Sequence, residues 1–337
     1  QRPWTGRIPG GLDRGPYRRH RSVSPESPRC VGVSGYLNDM STALFPHHDW
    51  ADADGLASPN PELAPTGYFR KDPDAHSARL KACHQALWSK KLPTEGVIDL
   101  RPDGLGLRDQ VSGEFLKSDA AMPVWERWGE VKGLLNGTEE LLQQEGLGSI
   151  HDLGWRLYDM GGMVLFPGHR VDGRWTINQA KGCSRFKIAD RLDLTLECIR
   201  LYYELLDARA GVVDDLPEGY SSVNPLGDVL HRYRSFFDLF GSFEGYIGFW
   251  LLDDLVVKDE AGLRVDFLLP RDSSAAYDFT RERALPADEH EYFTFLKASD
   301  DFVAKRNRRM ARDAHRPEVE ICAACLTGSG DSHARGW

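Results

Sequence analysis

The sequence predicts a helix-rich α+β fold, a single domain with a few short β-strands in a chain of 337 residues. Apolar residues recur at helical spacing through its second half, as in Leu192, Leu196, Ile199 and Tyr203 at i, i+4, i+7 and i+11. Short apolar runs closed by Pro-Gly or flanked by turn residues, such as 163–166 and 265–269, interrupt those periods and read as strands. Hydrophobic residues make up 41% of the chain and charged residues 28%, the balance of a soluble globular protein. The most apolar run, Gly245–Leu252, is far short of the roughly 18 residues that span a bilayer, so no membrane partner is expected.

Residues 1–66 read as a disordered or weakly ordered segment. The first 39 lack a starting Met, show no apolar period and hold seven Arg against three acids, a net +4. Such a stretch cannot bury enough surface to offset its ordering entropy. We read it as an upstream extension, with the biological start near Met40. The globular domain is expected over 67–314 and a disordered tail over 315–337.

Within the domain, Leu80, His84, Leu87 and Trp88 share one face of a helix over Ser77–Trp88, which Pro93 terminates. Residues 96–101 alternate weakly like a strand, and Gly104, Gly106 and Gly113 mark turns. Helices are expected over Val124–Leu135, Thr138–Glu145 and Ile150–Asp159. Met163–Phe166 reads as a buried strand, with Trp175–Asn178 as its partner across the Asp172-Gly173 turn. A helix over Ile188–Leu206 follows, then a linker over 207–227. The next helix starts after Asn224-Pro225 with Asp228 as N-cap and buries Leu230, Tyr233, Phe237 and Phe240. Residues 243–257 are apolar enough for a deep core, and Val265–Leu269 reads as a strand. The last helix, Ala287–Arg312, opens on Asp288, Glu289 and Glu291 and closes on Arg306, Arg308, Arg309 and Arg312, the polarity a helix dipole favours.

The blocks LWSKKLP (87–93), GGMVLFPGHRVDG (161–173), INQAKG (177–182), KIADRLDLTLECIRLYY (187–203), DLFGSFEGYIGFWLLDDLV (238–256) and FVAKRNRRMA (302–311) resemble an uncharacterised bacterial family of domains of unknown function, over roughly 68–312. The resemblance implies a bacterial, cytoplasmic protein and transfers no activity, cofactor or catalytic residue. Lys181 stands where that block leads one to expect Arg, which forgoes a bidentate contact.

Function is sought first in charge. The formal charge is −9, so the chain outside residues 1–39 carries −13, which argues against a broad nucleic-acid footprint and leaves room for a discrete basic patch. Between His169 and Lys187 five cations, Arg170, Arg174, Lys181, Arg185 and Lys187, face a single acid, Asp172. Arg offers a planar fork matched to phosphate or carboxylate, so Arg170, Lys181 and Arg185, with the amide of Asn178, are the expected ligand-binding residues. Asp190, Asp193 and Glu197 then lie at i, i+3 and i+7, one face of a helix, where carboxylates serve as acid–base groups or take a divalent metal such as Mg²⁺. The expected function is binding or processing of a small phosphate-bearing ligand, a nucleotide or nucleic acid, at loop 169–187. The alternative is a non-catalytic protein–protein interaction module whose charges form a solvated, salt-bridged face.

Other signals are weaker. Six scattered cysteines in a chain this long read as intracellular thiols. Cys322-x-x-Cys325 has zinc spacing without four ligands, and His47-His48-Asp49 with Asp52 and Asp54 is a metal cluster in composition only. His84 beside Cys83 reads as a core histidine, since adjacent helical residues point apart. Gly161-Gly162 precedes a strand, whereas phosphate-binding glycines follow one.

Overall fold

A computed structural model describes residues 54, 56, 71–120, 131–211, 213–260, 262–272 and 276–314. Among them are eleven helices with small antiparallel sheets, an α+β fold. The expectations for the N-terminal segment and tail, for a helix from Val124, and for the His47 and Cys322 clusters fall largely outside the described residues.

The chain enters through α1 (Pro73–His76) and α2 (Ala78–Trp88), where the Ser77 hydroxyl accepts the Leu80 amide and caps α2. Leu80, Cys83, His84, Leu87 and Trp88 are buried, as the helical spacing requires. Strands β1 (Leu100–Asp103), β2 (Gly106–Asp109), β3 (Phe115–Ala120) and β4 (Met163–Pro167) then form an antiparallel sheet in sequence order. Gly104, at φ +54°, turns β1 into β2. A Cβ at Gly106 would stand 2.3 Å from the Leu116 carbonyl oxygen, so only glycine permits that approach of β2 to β3. Every residue of β4 is buried, and it pairs with β3 from Leu116 opposite Pro167 to Ala120 opposite Met163.

Helices α3 (Leu135–Gln144) and α4 (Ile150–Leu157) connect β3 to β4 and pack on the final helix. Ser149 and Asp152 form a reciprocal capping box at the start of α4. After β4 come α5 (Ile177–Lys181) and α6 (Leu192–Ala208). Then α7 (Tyr220–Val223), α8 (Gly227–Arg232), α9 (Arg234–Asp238) and α10 (Phe243–Trp250) carry the aromatic core. There Phe236, Phe237, Phe240, Tyr246, Phe249 and Trp250 meet in tilted and edge-to-face pairs at 4.8–6.4 Å. A separate hairpin, β5 (Val256–Asp259) and β6 (Gly262–Val265), precedes the long α11 (Glu289–Ala314).

Several elements differ from the sequence reading. Trp175–Asn178 is no strand: the Thr176 hydroxyl accepts the Gln179 amide while the Gln179 side chain takes the Thr176 N–H, a capping box that starts α5. The helix expected from Ile188 starts at Leu192, because Lys187, Ala189 and Asp190 hold φ +54°, +51° and +62°. Asp228 lies inside α8, whose N-cap is Leu226. The strand expected at Val265–Leu269 ends at Val265. Arg306, read as part of a basic helix end, is fully buried.

Candidate functional site

Four of the residues expected to hold or process a ligand, Lys181, Asp190, Asp193 and Glu197, spend their charge inside the fold. Lys181, at the end of α5, is 1% exposed and is ion-paired to Asp119 of β3 and, at 2.6 Å, to Asp190. The left-handed turn at 189–190 wraps Asp190 back on the lysine, and its amide donates to the Lys181 carbonyl at 2.8 Å. Burial opposes the ammonium charge, and the two carboxylates overcome it, so the Lys181 pKa lies above its ordinary value. Asp74 completes the group: its Oδ2 accepts the Ala120 amide at 3.0 Å. Burial, with Asp72 and Asp119 adding repulsion, pushes its acid well above the carboxylate range. Four ionisable side chains thus tie α1, β3, α5 and the entry to α6.

Asp193 is also internal. Arg191 grips it with Nε at 3.0 Å from Oδ1 and with Nη2 on Oδ2, while Arg191 Nη1 donates to the Ala284 carbonyl at 2.7 Å. Asp193 Oδ2 accepts the Leu268 amide at 3.0 Å, which pins the loop after β6 to α6. Glu197 receives Nε and Nη2 of Arg200, both at 2.8 Å, and Arg200 reaches on to Glu204. Glu197, Arg200 and Glu204 line a 770 Å³ groove together with Arg264, Asp266 and Arg271. The three carboxylates therefore do not share one helical face, and each is held by a cation. Among the described residues no group of three or more His, Cys, Asp or Glu is placed to hold a metal ion.

The remaining cations of the basic loop, Arg170, Arg174, Arg185 and Lys187, are exposed, and His169, where the loop begins, lines a second groove. Its volume is 710 Å³, and Asp103, Arg108, Ser112, Glu114, Lys117 and His169 line it. His169 leaves the end of β4 through Gly168, where a Cβ would come 2.5 Å from Lys117 Cγ; glycine lets the lysine stem pass. The imidazole Nδ1 sits 2.7 Å from Glu114 Oε1, with side-chain exposures of 43% and 12%. The Tyr233 hydroxyl donates to the His169 carbonyl at 2.6 Å, and the two rings meet edge to face at 5.3 Å, so the histidine is fixed at backbone and ring. Burial pushes the Glu114 acid upward against the opposing pull of His169. Arg108 Nε pairs with Asp103 at 2.7 Å and its guanidinium lies 5.4 Å over the Phe115 ring.

Lys117, Arg170 and Arg174 have no ion-pair partner among the described residues, and both arginines are exposed. The loop that carries the arginines is anchored at both ends, since Arg232 Nη2 donates to the Trp175 carbonyl at 2.9 Å as Tyr233 does to His169. Arg185 is exposed and stacks 4.4 Å over the Trp175 ring. Asn178 is half-buried, its Oδ1 enclosed without a hydrogen-bond partner among the described residues. So the structure brings His169 to the groove, leaves Arg170 and Arg185 exposed outside its lining, and pairs Lys181, Asp190, Asp193 and Glu197 within the fold. Sequence reasoning missed Glu114 and Lys117 because the pairing of β3 with β4 brings them beside a histidine more than fifty residues later.

Over residues 62–310 the chain matches a family described as "Family of unknown function (DUF6994)". No curated protein and no solved structure matches it. Among the described residues no helix is long and apolar enough to cross a membrane.

Proposed function

From the premise that the chain belongs to this family of unknown function, we propose that it binds a small phosphate-bearing ligand in the groove between β3 and the loop after β4. One observation carries the reading: a half-exposed imidazole is fixed against a sunken carboxylate in a concave site, with Lys117 inside and the exposed Arg170 next to His169 in the chain, neither of them ion-paired among the described residues. In a chain of net −9, a cation such as Lys117, which lines a cavity without an ion-pair partner among the described residues, stands where an anion gains most. One cation at about 4 Å from a phosphate oxygen contributes roughly 1 kcal/mol in water and up to about 4 kcal/mol at a partly desolvated surface. Arg108, held in place by Asp103 and Phe115, is a preformed donor lining the same groove.

The acidic face of α6 has no part in this reading. Glu197 and Asp193 already hold Arg200 and Arg191, and displacing either partner would leave a buried charge unpaired. Thermal unfolding with inorganic phosphate, ADP and each with Mg²⁺ tests the proposal. Phosphate or ADP is expected to raise Tm by degrees, and Lys117→Met combined with Arg170→Met to remove the shift. A wild-type Tm indifferent to all four additions would remove the reading.

A further inference from the structure

We propose that this groove hydrolyses a phosphate ester, with His169 as the general base and Glu114 as the residue that positions it. The inference rests on the binding reading above and adds chemistry to it. Glu114 Oε1 lies 2.7 Å from Nδ1, an ionic contact outside hydrogen-bond geometry, and its negative charge favours the tautomer with the proton on Nδ1 and Nε2 as the acceptor. Among the described residues Nε2 has no hydrogen-bond partner, and the ring lines the cavity. A carboxylate behind a histidine, with the far nitrogen open to a concave site, is the arrangement that activates a nucleophile.

The histidine next to another carboxylate in this protein shows what an ordinary surface pair looks like. His151 and Asp152 stand 3.9 Å apart with side chains 31% and 60% exposed, on a helix surface. His169 differs in three ways: its contact is short, its partner is sunken to 12%, and its carbonyl and ring are held from behind by Tyr233. That is the fixation proton transfer needs, and a surface ion pair gains little from it.

In the step itself a water oxygen attacks phosphorus as the bond from phosphorus to the ester oxygen breaks, and the bonding pair leaves on that oxygen. The water proton passes to His169 Nε2. The imidazolium, opposed by Glu114, returns the proton to the departing alkoxide. The products are the free alcohol and phosphate, and the imidazole is restored. Lys117 and Arg108 face the non-bridging oxygens, whose charge they offset.

The test uses the whole chain with p-nitrophenyl phosphate and bis(p-nitrophenyl) phosphate as probes, following p-nitrophenolate. Wild type is expected to turn over at least one. His169→Gln should lower kcat by about 10²- to 10⁴-fold with KM little changed. Glu114→Gln should lower kcat less and move the acid limb of the kcat profile to lower pH, since the imidazolium loses its opposing charge. The groups facing the ring in that titration are Glu114, Lys117, Arg108 and Tyr233, so Lys117→Met is measured beside it and should raise KM. A purely structural role for Glu114 would leave the pH profile unmoved and overturn its part. No release from either probe, while inorganic phosphate still raises Tm, would overturn hydrolysis and leave binding standing. Loss of the phosphate shift as well would end both readings, and full turnover by His169→Gln would reject the base.

Discussion

Replacing Arg306 by Met asks whether one buried cation staples the centre of the molecule. Arg306 is 0% exposed, on the inward side of α11. Its Nε and Nη2 donate to the Trp250 carbonyl at 3.1 and 3.0 Å, and Nη1 to the Gly161 and Met163 carbonyls, both at 2.8 Å. These are the last carbonyl of α10 and the entry to β4, so the guanidinium joins three elements by three backbone acceptors. Its charge meets carbonyl dipoles in place of a carboxylate, and burial drags its pKa below the usual arginine range. Methionine roughly fills the volume and leaves three enclosed carbonyls without these donors, each costing about 1–3 kcal/mol. Relief from desolvating the cation offsets part of that, several kcal/mol in the other direction. The balance favours the arginine by about 3 kcal/mol, because its hydrogen bonds are all charge-assisted. Urea unfolding of both proteins measures it, read from the shift in midpoint at unchanged m. A loss under about 1 kcal/mol would refute the staple and show that the carbonyls find water or other donors.

Two further outcomes follow from buried polar groups. His84 receives the Trp88 indole N–H at Nδ1, 3.2 Å away, and meets Ser118 Oγ at 2.9 Å through Nε2, so it is held neutral. Burial, aided by Arg306, lowers its pKa to about 3 from an ordinary 6.5. A histidine whose folded pKa is depressed leaves the unfolded chain binding the extra proton, so stability is lost as pH falls from about 6.5 to about 3, by up to about 1.4 kcal/mol per unit. Urea midpoints taken across that range should fall more steeply for wild type than for His84→Gln; parallel curves would refute the buried neutral ring. Asp193→Asn should cost about 3 kcal/mol by stranding buried Arg191, whereas an exposed helix carboxylate would change stability by less than about 0.5 kcal/mol, and chemical denaturation separates the two.

The elements legible in the sequence were those whose burial follows a simple period. Leu192, Leu196, Ile199 and Tyr203 are all buried along α6, and the four apolar residues from Met163 become the fully buried β4. The start of α6 was hidden for a physical reason. Lys187, Ala189 and Asp190 take left-handed backbone that ordinarily signals itself through glycine. The start of α5 was legible and overlooked: Thr176 and Gln179 have the spacing of a capping box, and four residues of apparent alternation outweighed it. Strand β2 carries its buried residues Leu107 and Asp109 around an exposed Arg108, and an acid at an inward position conceals the period.

The candidate site was half legible, and the reason lies in what a count of charges measures. A run of cations beside a row of acids looks the same whether the charges face a ligand or each other. Local spacing distinguishes some cases: Arg191 and Asp193, or Glu197 and Arg200, stand close enough in sequence to satisfy each other, and they do. Lys181 was beyond that test, since its partner Asp119 comes from a strand sixty residues earlier. Spacing also misleads at Asp172, which lies between Arg170 and Arg174 yet pairs with neither, being carried in a left-handed turn with Gly173. A buried pair satisfied within the fold adds nothing to the field outside, whereas an unpaired cation at a cavity edge adds all of its charge. On the proposed reading, the part of the basic loop that would meet an anion is its first turn, where Arg170, without an ion-pair partner among the described residues, follows His169.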